Sequence, residues 1–176
     1  NPDWRAEARG VVEAAQALKG MQVLQVDAYM LANAGAYITQ ELGYALAWGA
    51  EMLSAQIEDG YTVEEATKRI EFNFGISSNY FMEIAKFRAA RWLWAEIVAA
   101  HGEEYREVAK INQHAITSQW NMTLYDSYVN LLRTQTEAMS AALGGVDSIT
   151  VQPFDVTYQE SDSFSERIAR NQQLLL

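Results

Sequence analysis

Residues 70–97 read IEFNFGISSNYFMEIAKFRAARWLWAEI, and this stretch decides the fold. Ile70, Phe72 and Phe74 alternate with Glu71 and Asn73, which is the period of a strand with two unlike faces. From Tyr80 the period lengthens. Residues 80–101 are rich in alanine, leucine and aromatic side chains and stop at Gly102, which suits the C′ position of a helix. A strand feeding a long helix makes one βα unit.

The same order recurs on either side. Upstream, residues 22–27 carry Val23, Leu24 and Val26, and helical periodicity follows over 33–57 and ends near Gly60. Thr62 and Glu65 then form a capping box for a short helix, 63–68. Downstream, an apolar run within 108–116 precedes a helix within 124–143 that Gly144 and Gly145 break. A fourth run, 148–152, is β-branched at Ile149, Thr150 and Val151 and is closed by Pro153, which cannot donate to a ladder. Ser163 and Glu166 make a second capping box for a last helix, and residues 4–18 form a first one, with Val11, Val12, Ala15 and Leu18 on one face and Gly20 as its stop.

Strands alternating with helices of more than ten residues imply parallel βαβ units. The expected fold is therefore α/β: four consecutive βα units forming about half of a (β/α)8 barrel, with an N-terminal helix over 1–20 and the barrel half over 21–176. A complete barrel takes about 250 residues, more than the 176 here, so the other half must come from sequence not present here, from a partner, or not at all. Half a barrel leaves two strand edges unpaired, and Leu174, Leu175 and Leu176 are expected to lie uncovered; self-association follows.

Composition narrows the function. With 49% hydrophobic residues and 2 prolines a sizeable core is available. The formal net charge of −10 argues against binding a phosphate backbone, so nucleic acid is not an expected partner. There are no cysteines, which removes disulfides, thiolate metal sites and thiol nucleophiles. The opening residues do not read as a secretory signal and no apolar run reaches a membrane span, so the expected location is cytoplasmic, without a membrane partner. His101 and His114 lack ligand-like spacing, and no metal site is expected. GxSxG, P-loop and GxGxxG strings do not occur. Phe87, Trp92 and Trp94 lie at helical spacing and read as packing surface.

Three segments carry a family likeness. YFMEIAKFRAARWLWAEI at 80–97, HAITSQWNMTLYD at 114–126 with NLLRTQTEA at 130–138, and FSERIARNQQLL at 164–175 resemble, in this order, the barrel helices and the third strand-to-helix loop of methylmalonyl-CoA mutases. The likeness runs from about Gln22 onward. It implies the acyl-CoA-binding barrel of an adenosylcobalamin-dependent carbon-skeleton mutase, which interconverts methylmalonyl-CoA and succinyl-CoA, and it places residues 21–176 in the C-terminal half of that barrel. The DxHxxG string of the family's separate cobalamin domain does not occur in this chain.

The resemblance also implies which positions should do chemistry, and several have changed. Met30 stands where the catalytic subunit has a histidine that hydrogen-bonds the thioester, and a thioether cannot polarise a carbonyl. Asn33 replaces a glutamate near the cofactor, Gln119 a glycine beside it, and Val156 and Thr157 the acidic residue and alanine that follow Asp155. Glu71 and Asn73 replace a serine and an aromatic residue at the second strand, and Ile116 replaces a glutamine at the third. Arg69 and His114 match substrate-binding positions and remain as remnants, although Arg69 also reads as a surface partner of Glu71 or Glu65.

The expectation is a non-catalytic small subunit that binds no cofactor itself, pairs with a catalytic subunit holding adenosylcobalamin, and stabilises that heterodimer. Two alternatives stay open. One is part of an active isomerase of altered specificity that uses Asp27, Tyr29 and His114; the other is a coenzyme A binding module.

Overall fold

The computed structural model describes residues 3–18 and 20–176. Helix α1 (Trp4–Ala14) leads into strand β1 (Leu24–Asp27), followed by α2 (Tyr29–Asn33), α3 (Ile38–Glu58) and α4 (Val63–Lys68). Then come β2 (Ile70–Ile76), α5 (Tyr80–Ala99), β3 (Asn112–Thr117), α6 (Asn130–Gly144), β4 (Ser148–Thr150) and α7 (Ser163–Gln173). Among the described residues the strands form one sheet, ordered β1-β2-β3-β4 and parallel throughout. Four sequential βα units therefore lie side by side, the arrangement of half a (β/α)8 barrel with an added N-terminal helix.

The register separates two faces. Leu24 pairs with Ile70, Val26 with Phe72, and Phe74 with Ala115, and all six are buried against the helices. Phe72 meets Trp94 edge-on at 4.8 Å between centroids, and Phe74 meets Phe87 at 6.1 Å. Such aromatic contacts add about 0.5–1.5 kcal/mol each beyond area burial. Period two puts the polar residues on the opposite face. There Gln25, Glu71 and Asn112 form one row, Asp27, Asn73, His114 and Ser148 the next, and Gly75, Ile116 and Thr150 the third. A packed barrel interior is normally filled with branched apolar side chains. This one is polar, and it is half open to solvent.

Several boundaries differ from the sequence reading. The helix expected over 33–57 is broken at Gly35, whose φ of +93 the α region cannot accommodate, so α2 and α3 are separate. The last helix is capped one residue earlier than expected. Asp162, not Ser163, accepts from the backbone N–H groups of Phe164 and Ser165, and Ser165, not Glu166, completes the box. The Thr62–Glu65 box forms as expected. Helix α1 ends at Ala14 rather than Leu18, with Gly20 at φ +76 beyond it. Trp94 and Phe87 are core residues, whereas Trp92 points outward at 68% exposure and is not packing surface. Leu174 and Leu175 are exposed as expected. No helix of the described residues is long and apolar enough to cross a membrane.

Candidate functional site

Parallel βα folds collect binding groups at the C-terminal ends of their strands. A cavity of about 460 Å³ opens at this mouth, walled by Tyr37 and Trp120 and edged by Ser77, Asn79, Ser118 and Asn121. Beneath it lies a buried charge cluster. Lys86 of α5 places its ammonium 2.6 Å from Glu41 Oε2 of α3 and 2.6 Å from Glu83 Oε2, and it also donates to the Gly75 carbonyl at 2.6 Å. Glu41 Oε1 accepts from Gly75 N at 2.7 Å and Glu83 Oε1 from Ser77 N at 2.9 Å. Three charges thus pin the end of β2. Burial pushes the Glu41 carboxyl upward, Lys86 opposes it, and Glu83 adds to it.

A third buried carboxylate holds the segment after β3. Glu137 of α6 is 3% exposed and accepts from Ser118 N at 2.8 Å and Asn121 Nδ2 at 2.6 Å, so it holds both ends of the segment carrying Trp120. Burial raises its pKa to about 7; hydrogen bonds from Asn121 and Ser118 resist the shift, and Glu83 reinforces it. The sequence reading missed Glu41, Glu83, Lys86 and Glu137. A signal was present: Glu83, Phe87, Ala90 and Trp94 share one face at four-three-four spacing, which places a carboxylate on a core stripe.

The positions singled out by resemblance separate into two groups. Met30, in the first turn of α2, is 56% exposed at the mouth. Asn33 ends the same helix, and its Oδ1 accepts from Gln119 N at 3.1 Å and Trp120 N at 3.4 Å, tying α2 to the loop after β3. Ile116 lies near the tip of β3, level with Gly75 and Thr150. The structure thus brings Asn33 and Gln119 together, while Ile116 stays on the inner face of β3 and Met30 is exposed on α2.

Arg69 and Glu71 are elsewhere. Strand β2 continues through Gly75 and Ile76 in register with β3, so its tip lies beyond Phe74; Glu71 is its second residue and pairs with Gln25 and Asn112 at the other end of the sheet. Glu71 therefore lies away from the mouth. Arg69 precedes β2 and stacks its guanidinium over Tyr61 at 4.2 Å instead of pairing with Glu71.

Asp27, His114 and Asp155 are engaged by neighbouring side chains. Asp27 Oδ1 accepts from Asn73 Nδ2 at 2.8 Å. His114 lies 2.6 Å from Ser148 Oγ through Nδ1 and 3.0 Å from Thr150 Oγ1 through Nε2, and burial lowers its pKa although Glu71 opposes this. The Tyr29 hydroxyl is pushed up by burial. Asp155 is buried, which would raise its carboxyl, yet hydrogen bonds from Gln159, Ser161 and Ser165 outweigh burial and hold it low. Val156 and Thr157 follow it in a turn.

A family model described as methylmalonyl-CoA mutase matches residues 7–176. The chain is 67% identical to a methylmalonyl-CoA mutase small subunit from Porphyromonas gingivalis over its whole length, which is 29% of that protein. It is 43% identical to a small subunit from Streptomyces virginiae over 89% of the chain and 25% of the relative. It is 39% identical to a methylmalonyl-CoA mutase large subunit from Porphyromonas gingivalis over 87% of the chain and 21% of the relative. The chain thus spans under a third of the length of these relatives.

Proposed function

This chain belongs to the methylmalonyl-CoA mutase family, and we propose that it is part of a non-catalytic small subunit that stabilises a heterodimer with a catalytic subunit. The observation that carries this reading is the state of the mouth. Met30 presents a thioether where a proton or hydrogen-bond donor would be required, and Asn33 is occupied in holding the backbone at Gln119 and Trp120. Asp27, His114 and Asp155 are each held by neighbouring side chains.

Adenosylcobalamin supplies the radical for the carbon-skeleton rearrangement that this family's resemblance implies. The residues here do not fit it. Trp120 stands at the rim, 69% exposed, with its indole 3.5 Å from the Cβ position of Gly35, and a bulky ring could approach only by displacing it. In this proposal the cofactor and the interconversion of methylmalonyl-CoA and succinyl-CoA belong to the catalytic partner.

The test uses the full-length polypeptide containing this chain, purified alone and with its large subunit, and supplied with adenosylcobalamin and methylmalonyl-CoA. The expected result is no succinyl-CoA from the polypeptide alone, stable co-purification with the large subunit, and turnover only by the pair. Turnover by the polypeptide alone would overturn the proposal in favour of an active isomerase. A second reading, retention of coenzyme A without turnover, is favoured by the open polar rows on the inner sheet face. Heat on calorimetric titration with coenzyme A, in the absence of turnover, would establish it.

A further inference from the structure

We infer that Glu137 is a proton-operated latch on the loop after β3: ionised, it clamps that loop and Trp120 against the mouth cavity, and protonated, it releases the Asn121 end. The geometry carries the first half. One carboxylate bridges Ser118 N and Asn121 Nδ2, the two ends of a four-residue segment with Trp120 inside it. Trp120 forms one wall of the 460 Å³ cavity and packs against Gly35. The segment has other holds on both sides, Asn33 Oδ1 on Gln119 N and Trp120 N and, beyond it, Asn130 on the backbone of Thr123, but the Asn121 side chain itself rests on Glu137.

The chemistry of a carboxyl group carries the second half. An ionised carboxylate accepts at both oxygens, and such charge-assisted bonds are roughly twice as strong as neutral ones. A protonated carboxyl keeps one carbonyl acceptor, which can retain Ser118 N–H, and turns its other oxygen into a donor facing the amide of Asn121. Asn121 Nδ2 then faces a donor and loses its acceptor. Glu137 also lines a smaller cavity of about 100 Å³ together with Arg133, Asn121 and Ser77, which gives the proton a route in without unfolding the core.

The charged and titratable groups turned toward Glu137 come from three elements. Glu83 of α5 repels its charge, and behind it Lys86 and Glu41 complete the cluster under β2. Arg133 on α6 itself attracts it, and the Tyr29 hydroxyl of α2 feels it. Burial and Glu83 together bring the titration to about 7, within the range a cell can traverse. The latch does not depend on the proposed subunit role and would hold in a catalytic chain as well.

The test is fluorine NMR of the full-length polypeptide labelled with 5-fluorotryptophan, with the Trp120 signal assigned by its loss in Trp120→Phe. The expected result is a Trp120 resonance that titrates with a midpoint near pH 7 while the buried Trp94 resonance stays fixed. In Glu137→Gln the Trp120 resonance becomes independent of pH. In Glu83→Gln, which removes the repelling charge, the midpoint moves to lower pH. A Trp120 signal that is flat between pH 5 and 9 in the unmodified protein overturns the inference, and so does an unchanged titration in Glu137→Gln. Because the unmodified protein alone can give the refuting result, poor folding of a variant does not shield the inference.

Discussion

Replacing Lys86 by methionine tests the charge cluster under the mouth most severely. The Lys86, Glu41 and Glu83 side chains are at most 3% exposed, and the ammonium lies 2.6 Å from both carboxylates. Removing one partner of a buried pair typically costs about 3–5 kcal/mol, because the remaining charge has neither water nor counter-charge. Here two carboxylates are stranded and the Gly75 carbonyl loses a donor. The Glu41 carboxyl, which burial already pushes upward, can escape by taking up a proton. From an ordinary value of 4.5 that costs about 3.4 kcal/mol at pH 7 but only about 0.7 kcal/mol at pH 5. The loss in Lys86→Met is therefore expected at about 3–5 kcal/mol at pH 7, shrinking by roughly 2–3 kcal/mol at pH 5. Urea unfolding followed by far-ultraviolet circular dichroism at both pH values would measure it. Adding Glu83→Gln to Lys86→Met should recover more than about 1 kcal/mol, since the two residues share one network. A loss below about 1 kcal/mol at pH 7, or one that does not change with pH, would refute the reasoning.

Other perturbations have defined outcomes. Glu137 has its pKa raised to about 7 from 4.5, so the folded state binds the extra proton; its stabilising contribution is present below pH 4.5 and is lost as pH rises through 7. Glu137→Gln should accordingly flatten the stability profile and gain up to about 3 kcal/mol at pH 8, read by thermal melts across pH. His114 behaves with the opposite sign. Its folded value lies below 6.5, so stability falls as pH drops through that value, and a proton NMR titration should place its midpoint below 6.5. Gly49→Ala should destabilise by about 1–3 kcal/mol despite alanine's better helix propensity, because the new methyl group would run into the rings of Phe72 and Trp94. Thr62→Ala should cost about 1 kcal/mol through loss of the cap on Glu65 N.

Local chemistry was legible in the sequence wherever a period or a cap decides the outcome. The alternation at 70–74 specified a strand with an apolar and a polar face, the Thr62–Glu65 box started α4 where expected, and the repeated strand-helix order implied a parallel sheet. The strings around 80–97 and 114–138 identified the family. What only the tertiary structure decided is which groups meet across elements. Glu41 and Lys86 are 45 residues apart in sequence and share one ion pair, while Asn33 reaches Gln119 across 86 residues. Nor could the period alone locate the tip of β2, and hence the end of the sheet that Glu71 occupies, because strand length depends on how far the ladder to β3 continues. The physical reason is common to all these cases. Periodicity and capping are set by neighbours along the chain, whereas the fate of a buried charge is set by whichever partners the folded backbone brings within hydrogen-bonding reach.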